Sequence, residues 1–121
     1  MHVLVAEDER KTREIIVQYL EEGGHTVETV KTGLEAVKAA AESRPPVILL
    51  DGLLPELHGF EASRMIRSLA TDYRPLIVLV TAIYKKRSYE NEATLKFGVD
   101  RYLHKPFTRE ALLAAIEMPL D

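Results

Sequence analysis

Three features of the sequence predict an α/β fold: an open, doubly wound, five-stranded parallel sheet with helices on both faces. Apolar runs of strand length recur five times, helical patterns lie between them, and the central runs are apolar at every position. Strand alternating with helix implies right-handed crossovers, which make the strands parallel. The crossover helices cover both faces of such a sheet, so its inner strands need no polar face.

The first strand is read over His2 to Ala6. The helix after it places Ile15, Ile16, Tyr19 and Leu20 on one face and stops at Gly23-Gly24, where a left-handed cap costs little. His25 to Val30 is the second strand. Thr32-Gly33-Leu34-Glu35 then forms a capping box, in which a hydroxyl and a carboxylate satisfy two orphan amides reciprocally, and Pro45-Pro46 ends the second helix. Val47 to Leu50 is the third strand. The third helix is expected to follow Gly59 and to turn Ala62, Met65, Ile66 and Leu69 inward. Leu76 to Val80 is the fourth strand, and the fourth helix should end near Phe97 with Gly98 as its stop. After the short fifth strand, Arg101 to Leu103, the last helix starts at Thr108. Phe107 and Leu112 stand at hydrophobic-staple spacing there, and Leu112, Leu113 and Ile116 form its buried stripe. No repeat, linker or composition break interrupts the pattern, so residues 1–121 are expected to form one domain.

Composition excludes several classes of function. With 16 Lys plus Arg against 19 Asp plus Glu, a net charge of -3 leaves no basic field for a nucleic-acid backbone. The chain has no Cys, which removes disulfides, thiolate metal sites and Cys nucleophiles. Its longest strongly apolar stretch, roughly Pro75 to Tyr84, falls far short of the ~20 residues that a spanning helix requires. No basic segment precedes an apolar one at the N-terminus, and a cytoplasmic location is expected.

In a parallel doubly wound sheet, ligands bind outside the carboxyl ends of the strands where strand order reverses. Glu7-Asp8 follow the first strand, Asp51 the third, Thr81 the fourth and Lys105 the fifth. Each has an ordinary reading alone: acids favoured at a helix N-terminus, a turn residue, a helix cap, a solvated lysine. Together they place acids, a hydroxyl and an ammonium around one privileged spot. If the first and third strands are adjacent, Glu7, Asp8 and Asp51 converge, and each like-charged pair at 4 Å costs roughly 4 kcal/mol at an effective dielectric of 20. An all-oxygen cluster of this kind suits a hard divalent cation, Mg²⁺ (or Mn²⁺).

These residues resemble the receiver domain of response regulators, the phosphoacceptor half of two-component signalling. The resemblance spans essentially the whole chain and is carried by Glu7-Asp8, the segment from Asp51 to Gly59, Thr81-Ala82, and Tyr102 followed by Lys105-Pro106-Phe107. It implies the flavodoxin-like strand order 2-1-3-4-5. It also implies that Asp51 accepts a phosphoryl group from the phosphohistidine of a sensor histidine kinase or histidine phosphotransfer protein. Asp8, Asp51 and the backbone carbonyl of Leu53 would ligate Mg²⁺, with Glu7 acting through water. Lys105 would pair with Asp51 and then with the phosphoryl group, and Thr81 would hydrogen-bond that group. The switch would follow when Tyr102 turns into the space Thr81 vacates, changing the face formed by the fourth helix, the fifth strand and the last helix. By the same resemblance the chain is a signalling switch rather than an enzyme. It would act on a downstream output domain or protein, with no direct contact to nucleic acid or membrane, and a phosphorylation-dependent dimer stays open.

The sequence departs from the family pattern at His58, expected to be exposed at the mouth of the third helix, and at Gly52, expected to loosen the loop carrying the Leu53 carbonyl. Leu53 and Ile83 are both apolar where receivers flank the path of the hydrolytic water, which points to a long-lived aspartyl phosphate. The principal alternative is a receiver-like module that binds proteins without being phosphorylated. A flavin binder is disfavoured because Glu7-Asp8-Glu9 would repel a cofactor phosphate, and an aspartate-nucleophile phosphatase because the first strand lacks an Asp-x-Asp arrangement.

Overall fold

A computed structural model describes residues 1–82 and 97–119 of the chain. The elements are β1 (His2–Ala6), α1 (Arg10–Glu22), β2 (Thr26–Val30), α2 (Gly33–Ser43), β3 (Val47–Asp51), α3 (Gly59–Arg67), β4 (Leu76–Thr81), β5 (Arg101–His104) and α4 (Arg109–Glu117). The label α4 belongs to the last helix, because the fourth helix read from the sequence, expected to end near Phe97, lies outside the described residues up to residue 96. Its expected stop lies inside them: Gly98 has a left-handed φ of 73°. All five strands are parallel, in the order β2-β1-β3-β4-β5.

The strands that read as uniformly apolar serve two cores at once, because successive side chains of a strand point to opposite faces. Leu4, Ala6, Ile48, Leu50, Ile77 and Leu79 face α2 and α3. Val3, Val5, Leu49, Val78 and Val80 alternate with them and meet Ile16 and Leu20 of α1 and Leu112 and Ile116 of α4. The edge strand β2, by contrast, has no fully buried residue.

Helix ends follow local chemistry closely. At the end of α1 the Gly24 N–H donates to Glu21 O and the His25 N–H to Leu20 O, both at 3.0 Å, with Gly24 at a φ of +86°. That is the double closure of a left-handed C-cap. The bonds of the α2 capping box run from Glu35 N to Thr32 Oγ1 at 3.0 Å and from Thr32 N to Glu35 Oε1 at 3.1 Å. Thr108 caps α4 by accepting from Ala111 N at 3.0 Å.

Four boundaries and three buried residues differ from the sequence reading. β3, β4 and β5 each run one residue further, through Asp51, Thr81 and His104, because the ladder uses only main-chain groups and tolerates a polar side chain at its end. β2 starts at Thr26, since His25 is used by the cap of α1. Ile15, Met65 and Leu69 are exposed, at 45%, 40% and 38%. On α3 the inward stripe is Gly59, Ala62, Ser63 and Ile66. Ser63 is admitted to it because its hydroxyl donates to Phe97 O at 2.7 Å, which removes the desolvation cost of burying it.

This phase of α3 predicts that Ile66→Ala lowers unfolding free energy by about 2–5 kcal/mol, through lost transfer energy and the cavity left behind. Met65→Ala, one residue away, is expected to change it by under ~1 kcal/mol. Urea denaturation of the two variants measures both.

Candidate functional site

β1 and β3 are neighbours with Ala6 opposite Leu50, so the residues that follow them emerge side by side at one edge of the sheet. Glu7 and Asp51 are buried there, at 1% and 8% exposure, and Asp8 is exposed. One carboxylate oxygen from each of Glu7, Asp8 and Asp51 lies within 4.8 Å of the others. The convergence expected from the strand order is therefore present. Three oxygen donors, no nitrogen or sulfur donor among them, and one exposed member suit a hard divalent cation that keeps part of its water.

Lys105 enters from the end of β5, held by its backbone N–H donating to Thr81 O at 2.9 Å. Its ammonium lies 2.9 Å from Glu7 Oε1 and 3.6 Å from Asp51 Oδ2. The sequence reading paired Lys105 with Asp51, and the nearer partner is instead Glu7, the most buried of the three acids and the one with most need of a counter-charge. The Lys105–Pro106 peptide bond is cis. Glu7 Oε2 also accepts from Glu9 N at 3.2 Å, and Asp51 Oδ1 accepts from Leu53 N at 3.2 Å.

Burial, reinforced by a hydrogen bond shared with Asp51, pushes the Glu7 carboxyl up to about 7, against the pull of Lys105 and the Glu9 amide. At Lys105 burial opposes the charged form, but the Glu7 hydrogen bond and the charges of Asp51 and Glu7 outweigh it and hold the ammonium above the ordinary lysine range. One acid of the cluster is thus poised between its two forms near neutrality.

Thr81, the last residue of β4, is 4% exposed. Its hydroxyl stands beside Gly52, where an added methyl would meet Thr81 Oγ1 at 3.7 Å. Tyr102 is half-buried and packs with the α2 and α3 side of the core, opposite Leu79 in register. Thr81 follows Leu79 by two residues, so Thr81 and Tyr102 lie on the same face of the sheet. Leu53 is 57% exposed, and His58 is the exposed N-cap residue of α3, as its position in the sequence suggested. Gly52 has both backbone polar groups bonded, to Val80 O at 3.0 Å and from Gly59 N at 3.3 Å, a tie its sequence context did not reveal. Ile83 lies outside the described residues.

The sequence reading missed Arg13. Its Nη1 donates to the carbonyls of Glu7 at 3.0 Å and Asp8 at 3.2 Å, tying the acidic turn to the first turns of α1. Helical spacing alone could have placed Arg13 beneath that turn. The exposed Ile15 also acquires a setting: with Tyr19, Ala82, Lys105 and Phe107 it lines a groove of about 370 Å³ beside the cluster.

A family model described as the response regulator receiver domain matches residues 3–117. The chain is similar to Response regulator MprA of Mycobacterium leprae (strain TN), 38% identical over 116 residues, covering 96% of this chain and 49% of that protein. It is likewise 39% identical to Response regulator MprA of Mycobacterium avium (strain 104) over 94% of the chain and 48% of that protein. The chain thus spans about half the length of the curated relatives it matches. Among solved structures it resembles the receiver domain of sensor histidine kinase PA1611 from Pseudomonas aeruginosa PAO1, which carries a magnesium ion in its active site cleft. The TM-score there is 0.81 at 33% identity, covering 95% of this chain and 96% of that one. With chemotaxis protein CheY4 of Vibrio cholerae the TM-score is 0.88 at 28% identity, covering 98% of each chain.

The raised Glu7 carboxyl sets a pH dependence. Its folded value of about 7 exceeds the ordinary 4.5, so its contribution to stability is fully present below 4.5 and is lost as pH rises through 7. That displacement is worth roughly 3 kcal/mol at most. In EDTA the urea midpoint of the protein is expected to fall between pH 5 and pH 8, and Glu7→Gln to flatten the difference.

Proposed function

This chain belongs to the response regulator receiver domain family, and from that premise we propose that it is a phosphoacceptor switch in which Asp51 takes a phosphoryl group from the phosphohistidine of a partner. The observation that carries the reading is the meeting of Glu7, Asp8 and Asp51 within 4.8 Å beside the Lys105 ammonium. An Oδ atom of Asp51 attacks phosphorus, forming a P–O bond as the donor's P–N bond breaks. The electron pair of the P–N bond leaves with the imidazole nitrogen, which is then protonated. Asp8, Asp51 and the Leu53 carbonyl would hold Mg²⁺ directly and Glu7 through water. When bound, the cation neutralises charge on the transferring phosphoryl group and orients it.

Lys105 is within reach of both buried acids. Exchanging Asp51 for a phosphoryl oxygen requires only a small shift of a long, flexible side chain. Thr81 supplies a hydroxyl to the same group, and its movement toward it frees space on the face it shares with Tyr102. Phosphorylation then favours whichever population makes those contacts, and its reach is set by the difference in contact energy between the two states. The partners are a sensor histidine kinase or histidine phosphotransfer protein upstream and an output domain or protein downstream, in the cytoplasm. No described helix is long and apolar enough to cross a membrane. Leu53, exposed beside the acceptor, has no group to orient an attacking water, so the acyl phosphate is expected to decay slowly.

Incubation with Mg²⁺ and a small acyl phosphate, followed by intact mass measurement, is expected to add one phosphoryl group to the protein and none to Asp51→Ala. Absence of the adduct in the unaltered protein with a competent donor favours a phosphorylation-independent module instead. Mg²⁺ at ~100 times its dissociation constant is expected to contribute about 2.7 kcal/mol to stability, read as a rise in Tm that Asp8→Ala abolishes.

Once the donor is removed, Leu53→Glu or Leu53→Gln is expected to shorten the lifetime of the phosphorylated form, followed by the same mass measurement. Decay within seconds that neither substitution alters would refute the role given to Leu53.

A further inference from the structure

We propose that Gly33, the first residue of α2, is a positioning residue for the loop that carries the Leu53 carbonyl, and through it for the cation at the carboxylate cluster; this rests on the receiver reading above. The loop of residues 52–58 is tied to the fold on both sides of Leu53. On one side the Gly52 N–H donates to Val80 O of β4 at 3.0 Å. On the other, Pro55 O accepts from Gly33 N at 3.3 Å and from Leu57 N at 2.8 Å. The Leu53 carbonyl therefore sits between an attachment to β4 and an attachment to α2.

The second attachment demands glycine. A Cβ on Gly33 would lie 1.8 Å from the Leu57 carbonyl oxygen and 2.7 Å from the Leu57 carbonyl carbon, so main chain rather than a flexible side chain would have to move. Helix formation does not ask for glycine here, since Thr32 already caps α2 and glycine is favoured at the other end of a helix. What asks for it is the close approach of two backbones.

The loop also stores strain that needs an outside hold. Glu56 has a φ of 69° in a three-residue turn closed by the bond from Leu57 N to Pro55 O, a conformation that side-chain-bearing residues avoid. Such a turn persists only where its surroundings over-determine it. Here they are Leu54, 2% exposed, the half-buried Leu57 packed on the core, and Gly33. Loss of the Gly33 approach lets the turn shift and carries the Leu53 carbonyl away from Asp8 and Asp51.

Coupling of this kind is reciprocal: if Gly33 sets the cation's affinity, the cation must tighten the start of α2. Calorimetric titration with Mg²⁺ is expected to give Gly33→Ala a dissociation constant about tenfold or more above that of the unaltered protein, the size usual when a support of a metal ligand is lost. In the unaltered protein, Mg²⁺ is expected to slow hydrogen exchange at the Gly33 amide, and not in Asp8→Ala. A change in metal-free Tm with an unchanged Mg²⁺ affinity, or a Gly33 amide indifferent to Mg²⁺, would overturn the proposal and leave the receiver reading standing. Failure of the unaltered protein to bind Mg²⁺ would overturn both. Should Gly33→Ala not fold, Gly33→Ala/Glu56→Gly is compared with Glu56→Gly alone, since glycine relieves the positive φ. Weakened binding in the double variant supports the role of Gly33, and equal binding refutes it.

Discussion

Like charges separate unless something holds them, and Glu7, Asp8 and Asp51 are held with oxygens within 4.8 Å of one another. The hold is the pairing of β1 with β3, which fixes both strand ends at one level and leaves the acids no freedom to spread. Lys105 offsets part of the repulsion, and burial beside Asp51 raises the Glu7 carboxyl, which favours its neutral form. The remaining imbalance would suit a divalent cation, since a dication can answer all three acids at once.

That pairing depends in turn on a sheet that is covered on both sides. β1, β3 and β4 have no exposed residue, and each sends alternate side chains into two separate cores. Sliding one strand by a residue would exchange its two sets of side chains between cores packed by different helices, so register at the sheet's centre is strongly fixed. The acidic end therefore inherits its precision from apolar packing several residues away. The loops at that end add their own constraints, with Gly59 as tightly placed as Gly33: a Cβ there would lie 2.3 Å from the backbone oxygen of Asp51.

Local chemistry was legible wherever the responsible atoms are neighbours in the chain. The capping box at Thr32, the cap at Thr108 and the left-handed glycine after α1 all involve groups within a few residues, and all stand where the sequence places them. Reading the inward face of α3 was harder. Met65 and Leu69 are as apolar as Ile66, but the face turned inward is chosen by what waits opposite it, and Phe97 O offers Ser63 a partner that no local pattern announces. Ile15 is a similar case, since its neighbours Ala82 and Phe107 come from loops far along the chain.

By itself the sequence determined the alternation of strand and helix, the two-sided burial of the central strands, and the identity of the polar residues at the strands' carboxyl ends. Hydrophobic periodicity and residue chemistry are local properties, and they were sufficient for that. Only the tertiary structure decided that Lys105 leans toward Glu7 more closely than toward Asp51, that Arg13 props the acidic turn, and that Gly33 touches the loop after β3. Each of those is a distance between segments remote in the chain, set by strand order, helix phase and the burial that assigns a counter-charge to the most enclosed acid.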